Sequence, residues 1–262
     1  MKSLLLVGLS AVLLVPVVAM AQSPFDGTWK ADLSSAQWST KPDVMSLQNG
    51  MFDCSTCVPP IHIKADGTDQ KVTGDPYSDS LSVKVIDDHN VEETFKKDGK
   101  VVAVLTRSVS SDGNTLTVKW TYTGNPSGGP QTGTETDKRV AKGPAGGHML
   151  SGSWRTEKAD VSAESLTYTF KVNGNELTMT NATGGSYIAK LDGTDAPVKG
   201  DPGLTSVSVK MLGKKTLEET YKRDGKVIVI YKSTVSADGK TMKVIGDDKL
   251  EGKITKSVSQ KQ

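Results

Sequence analysis

The feature that most constrains this chain is that it repeats itself. DGTD at Asp66 returns at Asp192, and VTGDP at Val72 returns as VKGDP at Val198. EETFKKDGKV at Glu92 returns as EETYKRDGKV at Glu218, and SVSSDGNTLTV, ending at Val118, returns as TVSADGKTMKV, ending at Val244. Every pair stands 126 positions apart, with no gap needed from Asp66 to Val118. Upstream, Gly27-Thr28-Trp29 matches Gly152-Ser153-Trp154 at an offset of 125. A match of this length divides the chain into two copies of one supersecondary unit. Residues 22–140 form the first unit and 150–262 the second, joined by the Gly- and Pro-rich segment 141–149.

Within each unit the apolar residues alternate with period two. Leu81, Val83 and Val85 interleave with Ser82 and Lys84; Leu116, Val118, Trp120 and Tyr122 with Thr117, Lys119 and Thr121; Leu166, Tyr168, Phe170 and Val172 with Thr167, Thr169 and Lys171. Such runs bury one face of a strand and wet the other. Between them recur Asp-Gly and Asn-Gly pairs, at Asp98, Asp112, Asn173, Asp224 and Asp238 among others. These are hairpin turns, because both residue types tolerate positive φ. No segment carries a capped helical stripe. The expected fold is all-β: two tandem antiparallel meanders of about eight strands, each curling into a barrel that removes its own edges.

The G-x-W openings at Trp29 and Trp154 resemble the start of lipocalins and fatty-acid-binding proteins, the calycin-like barrels. In that family an Arg from the last strand commonly packs over this Trp. The resemblance implies that Arg139 does so over Trp29 in the first unit, while the second unit offers only Lys or Ser. It also implies a barrel that holds one small ligand. FDGTWK, the Asp-Gly hairpins and KKDGKV are similar to uncharacterised secreted bacterial β proteins as well, a likeness that carries no function with it.

The N-terminus reads as a secretory signal peptide: Lys2, an apolar run over 4–18, and Ala19-Met20-Ala21 as the cleavage site. Cleavage near Ala21 would leave the mature chain periplasmic or secreted, with no stretch able to span a bilayer. Lys and Arg number 32 against 30 Asp and Glu, with the signs interspersed. This lacks the basic face that nucleic-acid binding requires.

The candidate chemistry is sparse. Cys54 and Cys57 are expected to form a disulfide in an oxidising compartment, stapling the turn before Pro59-Pro60. A redox C-x-x-C would need a helix N-terminus, and zinc would need two further ligands. Glu93 and Glu219 fall on strands whose parity is ambiguous. Pairing across Asp98-Gly99 sets Glu93 beside Val91, Phe95, Val102 and Val104. Pairing across Asp112-Gly113 sets Leu105, Arg107 and Val109 on the opposite face, with Leu116, Val118 and Trp120. A β-bulge in 101–109 would reconcile the two; otherwise each Glu is expected in solvent. The DGTD and GDP segments read as turns rather than calcium loops. No nucleophile–base–acid set, phosphate loop, metal site or cofactor motif is expected. Glu93, Glu219, Arg107 and His62 are the only groups from which a catalytic cleft between the units could be assembled.

The expected function is non-enzymatic binding of a small apolar or amphipathic ligand. Phe95, Trp120, Tyr122, Tyr168, Phe170 and Tyr221 would face a core or cavity. The alternative is an envelope or extracellular interaction module with solid-packed barrels. Alternation alone leaves hollow and solid interiors open.

Overall fold

A computed structural model describes residues 23–127 and 129–262; the signal peptide expected over 1–21 lies outside the described residues. The fold is all-β, with one 3-10 turn among the described residues, η1 (Ala163–Leu166). Among the described residues no helix is long and apolar enough to cross a membrane.

The first half carries β1 (Gly27–Gln37), β2 (Asp43–Gln48), β3 (Met51–Cys54), β4 (Ile61–Lys64) and β5 (Gln70–Lys71). It continues with β6 (Ser80–Val85), β7 (Asn90–Lys97), β8 (Lys100–Val109), β9 (Thr115–Tyr122) and β10 (Gln131–Lys142). The second half carries β11 (Gly152–Val161), β12 (Thr167–Asn173), β13 (Glu176–Asn181), β14 (Ser186–Lys190) and β15 (Asp192–Lys199). It ends with β16 (Ser206–Gly213), β17 (Thr216–Arg223), β18 (Lys226–Val235), β19 (Thr241–Asp248) and β20 (Lys253–Lys261).

These strands make two ten-stranded antiparallel sheets rather than two of eight. One is a closed barrel in the order β1-β12-β13-β14-β15-β16-β17-β18-β19-β20. The other, β4-β3-β2-β11-β10-β9-β8-β7-β6-β5, is nearly closed, its ends at β4 and β5. The expected domain boundaries need correction. β1 leaves the first half to close the barrel of the second, between β12 and β20. β11 returns the exchange, inserting between β2 and β10. Ala141 and Lys142, assigned to the linker, instead extend β10. The physical reason is that β1 and β11 open on the same G-x-W signature, so either strand fits either gap. β11 pairs with β10 as a hairpin across 143–151 and the second barrel takes β1, and the exchange forgoes the hairpins that β1 and β2, and β11 and β12, would make across 38–42 and 162–166. Residues 38–42 and 162–166 are the two crossings.

Inward residues of each sheet form one core. The first packs Phe52, Leu81, Val83, Val91, Leu116, Leu150 and Trp154; the second packs Phe25, Trp29, Phe170, Leu177, Val207, Val209 and Leu217. Trp29 and Trp154 occupy equivalent positions. Each indole Nε1 donates 2.8 Å to a carbonyl four residues upstream, that of Phe25 or Leu150. The preceding glycines, at φ +123° and +140°, hold a backbone conformation that side chains resist. A Cβ at Gly152 would lie 2.5 Å from the Ala141 carbonyl.

The Asp98-Gly99 and Asp224-Gly225 turns have positive φ at all four residues, as two-residue hairpins require. Cys54, the last residue of β3, is disulfide-bonded to Cys57. The repeated DGTD segments are Asx turns. Asp66 and Asp192 each accept 2.9 Å hydrogen bonds from the backbone N–H two residues on. Hydrogen bonds from Thr68 and Thr194 hold these carboxyls below the usual range.

Candidate functional site

The bulge allowed for in 101–109 is present. β7 pairs Phe95 with Ala103 but Lys96 with Val101, so Val102 is the extra residue. β17 and β18 repeat the step, with Tyr221 opposite Val229 and Lys222 opposite Val227. After the bulge the parity of the strand flips. Glu93, Leu105, Arg107 and Trp120 then share the interior face, and so do Glu219, Tyr231 and Ser233. The expectation that both glutamates are solvated is therefore wrong: Glu93 is 1% exposed and Glu219 5%. The bulge turns them inward, and each barrel supplies partners to compensate.

Those partners differ. In the first barrel the Arg107 Nε donates 2.5 Å to Glu93 Oε1 and its Nη2 3.4 Å to Oε2. Two further carboxylates lie on the inner side of β10. Asp137 is buried, its Oδ1 without a hydrogen-bond partner. Burial, then the neighbouring Glu135 charge, pushes the Asp137 carboxyl up to about 8, with Arg107 opposing. Trp120 packs against β10, and a Cβ at Gly133 would come within 2.4 Å of its ring.

In the second barrel the position matching Arg107 is Ser233. The ladders set Val118 opposite Glu135 and Val244 opposite Ser257, and likewise Leu116 opposite Asp137 and Met242 opposite Ser259. So Glu135 and Asp137 become Ser257 and Ser259, Leu105 becomes Tyr231, and Trp120 becomes Gly246. Glu219 Oε1 accepts hydrogen bonds from the hydroxyls of Tyr187 (2.6 Å) and Tyr221 (2.8 Å). Its Oε2 receives none from the described residues. Burial pushes the Glu219 carboxyl up, and the two phenols pull it only part of the way back.

The smaller side chains leave a cavity of about 320 Å³ inside this barrel. Tyr168, Phe170, Tyr221 and Tyr231 supply its aromatic wall, and Glu219, Ser233, Ser257 and Ser259 its polar side. Tyr168 and Ser259 are themselves hydrogen-bonded at 2.8 Å. The Tyr221 ring meets both the Tyr187 and the Tyr231 ring edge to face.

Of the six aromatics expected in a core or cavity, Tyr168, Phe170 and Tyr221 line this one. Phe95 packs against the core of the first barrel, Trp120 on Gly133, and the Tyr122 hydroxyl against Gly124. Tyr187 and Tyr231 were not among the expected set. Tyr187 follows the parity of Ala189 on β14 and was legible there. Tyr231 sits past the Ile228 bulge in a run without alternation.

The Arg–Trp stack also needs correction. Arg139 lies over Trp154, 3.9 Å from its ring centroid, because β11 and not β1 is the neighbour of β10. Trp29 is covered instead by Lys261 at 5.4 Å, from the strand that does flank β1. The four groups considered for a catalytic cleft are not brought together. Glu93 and Arg107 lie in one barrel and Glu219 in the other, while His62 stands on the surface beside Asp53. Among the described residues no cluster of three or more His, Cys, Asp or Glu is arranged to hold a metal. Neither a scan against family models nor a search of curated proteins found a match to the chain.

Proposed function

We propose that this is an exported, non-enzymatic binding protein whose second barrel holds one small amphipathic ligand, the first barrel serving as a packed scaffold. The observation that carries the reading is the 320 Å³ cavity with an aromatic wall and a polar side. Its size falls at the lower end of small-molecule sites, which are mostly apolar with a few placed polar groups. The first barrel holds Arg107, Trp120, Glu135 and Asp137 at the matching positions. The leader over 1–21 supports export, and the Cys54–Cys57 disulfide suits an oxidising compartment.

The test is titration of the mature protein with N-phenyl-1-naphthylamine, a neutral apolar fluorophore. Saturable binding with one site per chain is expected, lost on Ala31→Trp, which fills the cavity from β1. An unsaturable signal, or one untouched by that substitution, would remove the carrier reading.

A further inference from the structure

The two barrels hold a buried glutamate at the same position, and only one of them supplies a cation for it. Arg107 on β8 reaches Glu93 on the paired strand β7. In the second, Ser233 stands where the arginine would start, and no Lys or Arg lines the cavity. Burying an unpaired carboxylate is costly, and in proteins such a group either takes a proton or finds a counter-charge. Here both phenols donate to Oε1, while Oε2 has no donor among the described residues, and Glu219 lines the cavity. Ser233, a buried residue, lines the same cavity, and its hydroxyl makes no hydrogen bond among the described residues. Around these acceptors stand Tyr168, Tyr221 and Tyr231, whose ring faces attract a desolvated cation.

We infer that the ligand of the second barrel is an organic cation, an amine, amidine or guanidine with a short apolar tail. Its charged head takes the place that the Arg107 guanidinium fills in the first. The inference rests on the proposed binding role of this cavity and narrows it to one chemical class. The head would be held by Glu219 Oε2, with the Ser233 and Ser257 hydroxyls as further acceptors, and the tail would lie against Phe170 and Met179.

Three probes of one length separate the possibilities: hexylamine, hexanol and hexanoate, titrated calorimetrically into the mature protein at pH 7.5. Hexylamine is expected to bind at least tenfold more tightly than hexanol, and hexanoate more weakly than either. Glu219→Gln should bring hexylamine down to the level of hexanol and leave hexanol unchanged. Ser233→Arg should abolish hexylamine binding by supplying the cation internally. The ranking on the unaltered protein is decisive even if a variant fails to fold. Equal affinity for hexylamine and hexanol overturns the cationic head while the carrier reading stands, and so does a preference for hexanoate. No binding of any of the three overturns both.

Discussion

Glu93 and Glu219 occupy the same rung of two barrels built from matching sequence, yet their surroundings have diverged. One is answered by a guanidinium from the neighbouring strand, the other by two phenol hydroxyls on a single oxygen. Around the first the interior is crowded with Trp120 and charged by Glu135, Asp137 and Arg107. Around the second the same positions hold Gly246 and three serines. The difference teaches that one strand framework can be run as a solid or as a container. The bulge that turns the glutamate inward is common to both, and only the side chains facing it decide.

Substitutions that remove one barrel's answer break this comparison most directly. Arg107→Met strands Glu93 without a counter-charge, and a loss of about 3–5 kcal/mol is expected by chemical denaturation. Next in size is the contrast between the two indole covers. Arg139 donates to three backbone carbonyls, those of Gly113, Ser151 and Met149, besides stacking on Trp154. Arg139→Ala should cost about 2–3 kcal/mol, through the lost hydrogen bonds. Lys261→Ala should cost only about 0.5–1 kcal/mol, the worth of a partly exposed cation over a ring. Equal costs would show that the two covers are interchangeable.

The last effect expected is a gain. The folded-state pKa of Asp137 lies above its ordinary value, at about 8, so the folded chain favours the protonated form. That stability is fully present below about pH 4 and is lost as the pH rises towards 8. Asp137→Asn should therefore raise stability by about 1 kcal/mol at pH 8 and have little effect at pH 4. Thermal unfolding at the two pH values checks it; a gain of equal size at both would assign the effect to packing instead.

Much of this architecture was legible in the sequence. Alternation over Leu116–Tyr122 and the Asp98 and Asp224 turns name strands and hairpins without help, because a half-buried strand has no other way to satisfy period two. The glutamates were misplaced because VVAVL after Lys100 is apolar at every position, so the phase of the strand is unwritten until Val102 is known to be the bulge. The strand exchange was illegible for a different reason. β1 and β11 carry the same G-x-W signature, so either one satisfies either barrel, and nothing in the composition of the two strands chooses between them. The cavity followed from both omissions. Tyr231 and Ser233 lie beyond the bulge, and the correspondence of β10 with β20 emerges only from the ladder.

The exchange of β1 and β11 makes the halves inseparable by a single cut. A nick in the loop 143–151 would leave each fragment clasped through a strand embedded in the other's sheet, so the pieces would migrate together until denatured. Either half produced alone would lack one stave. The two neighbours of the gap would then offer bare ladder edges that a second copy could fill by swapping. Folding of this molecule is thus a handshake: neither sheet is complete until a strand of the other half has arrived.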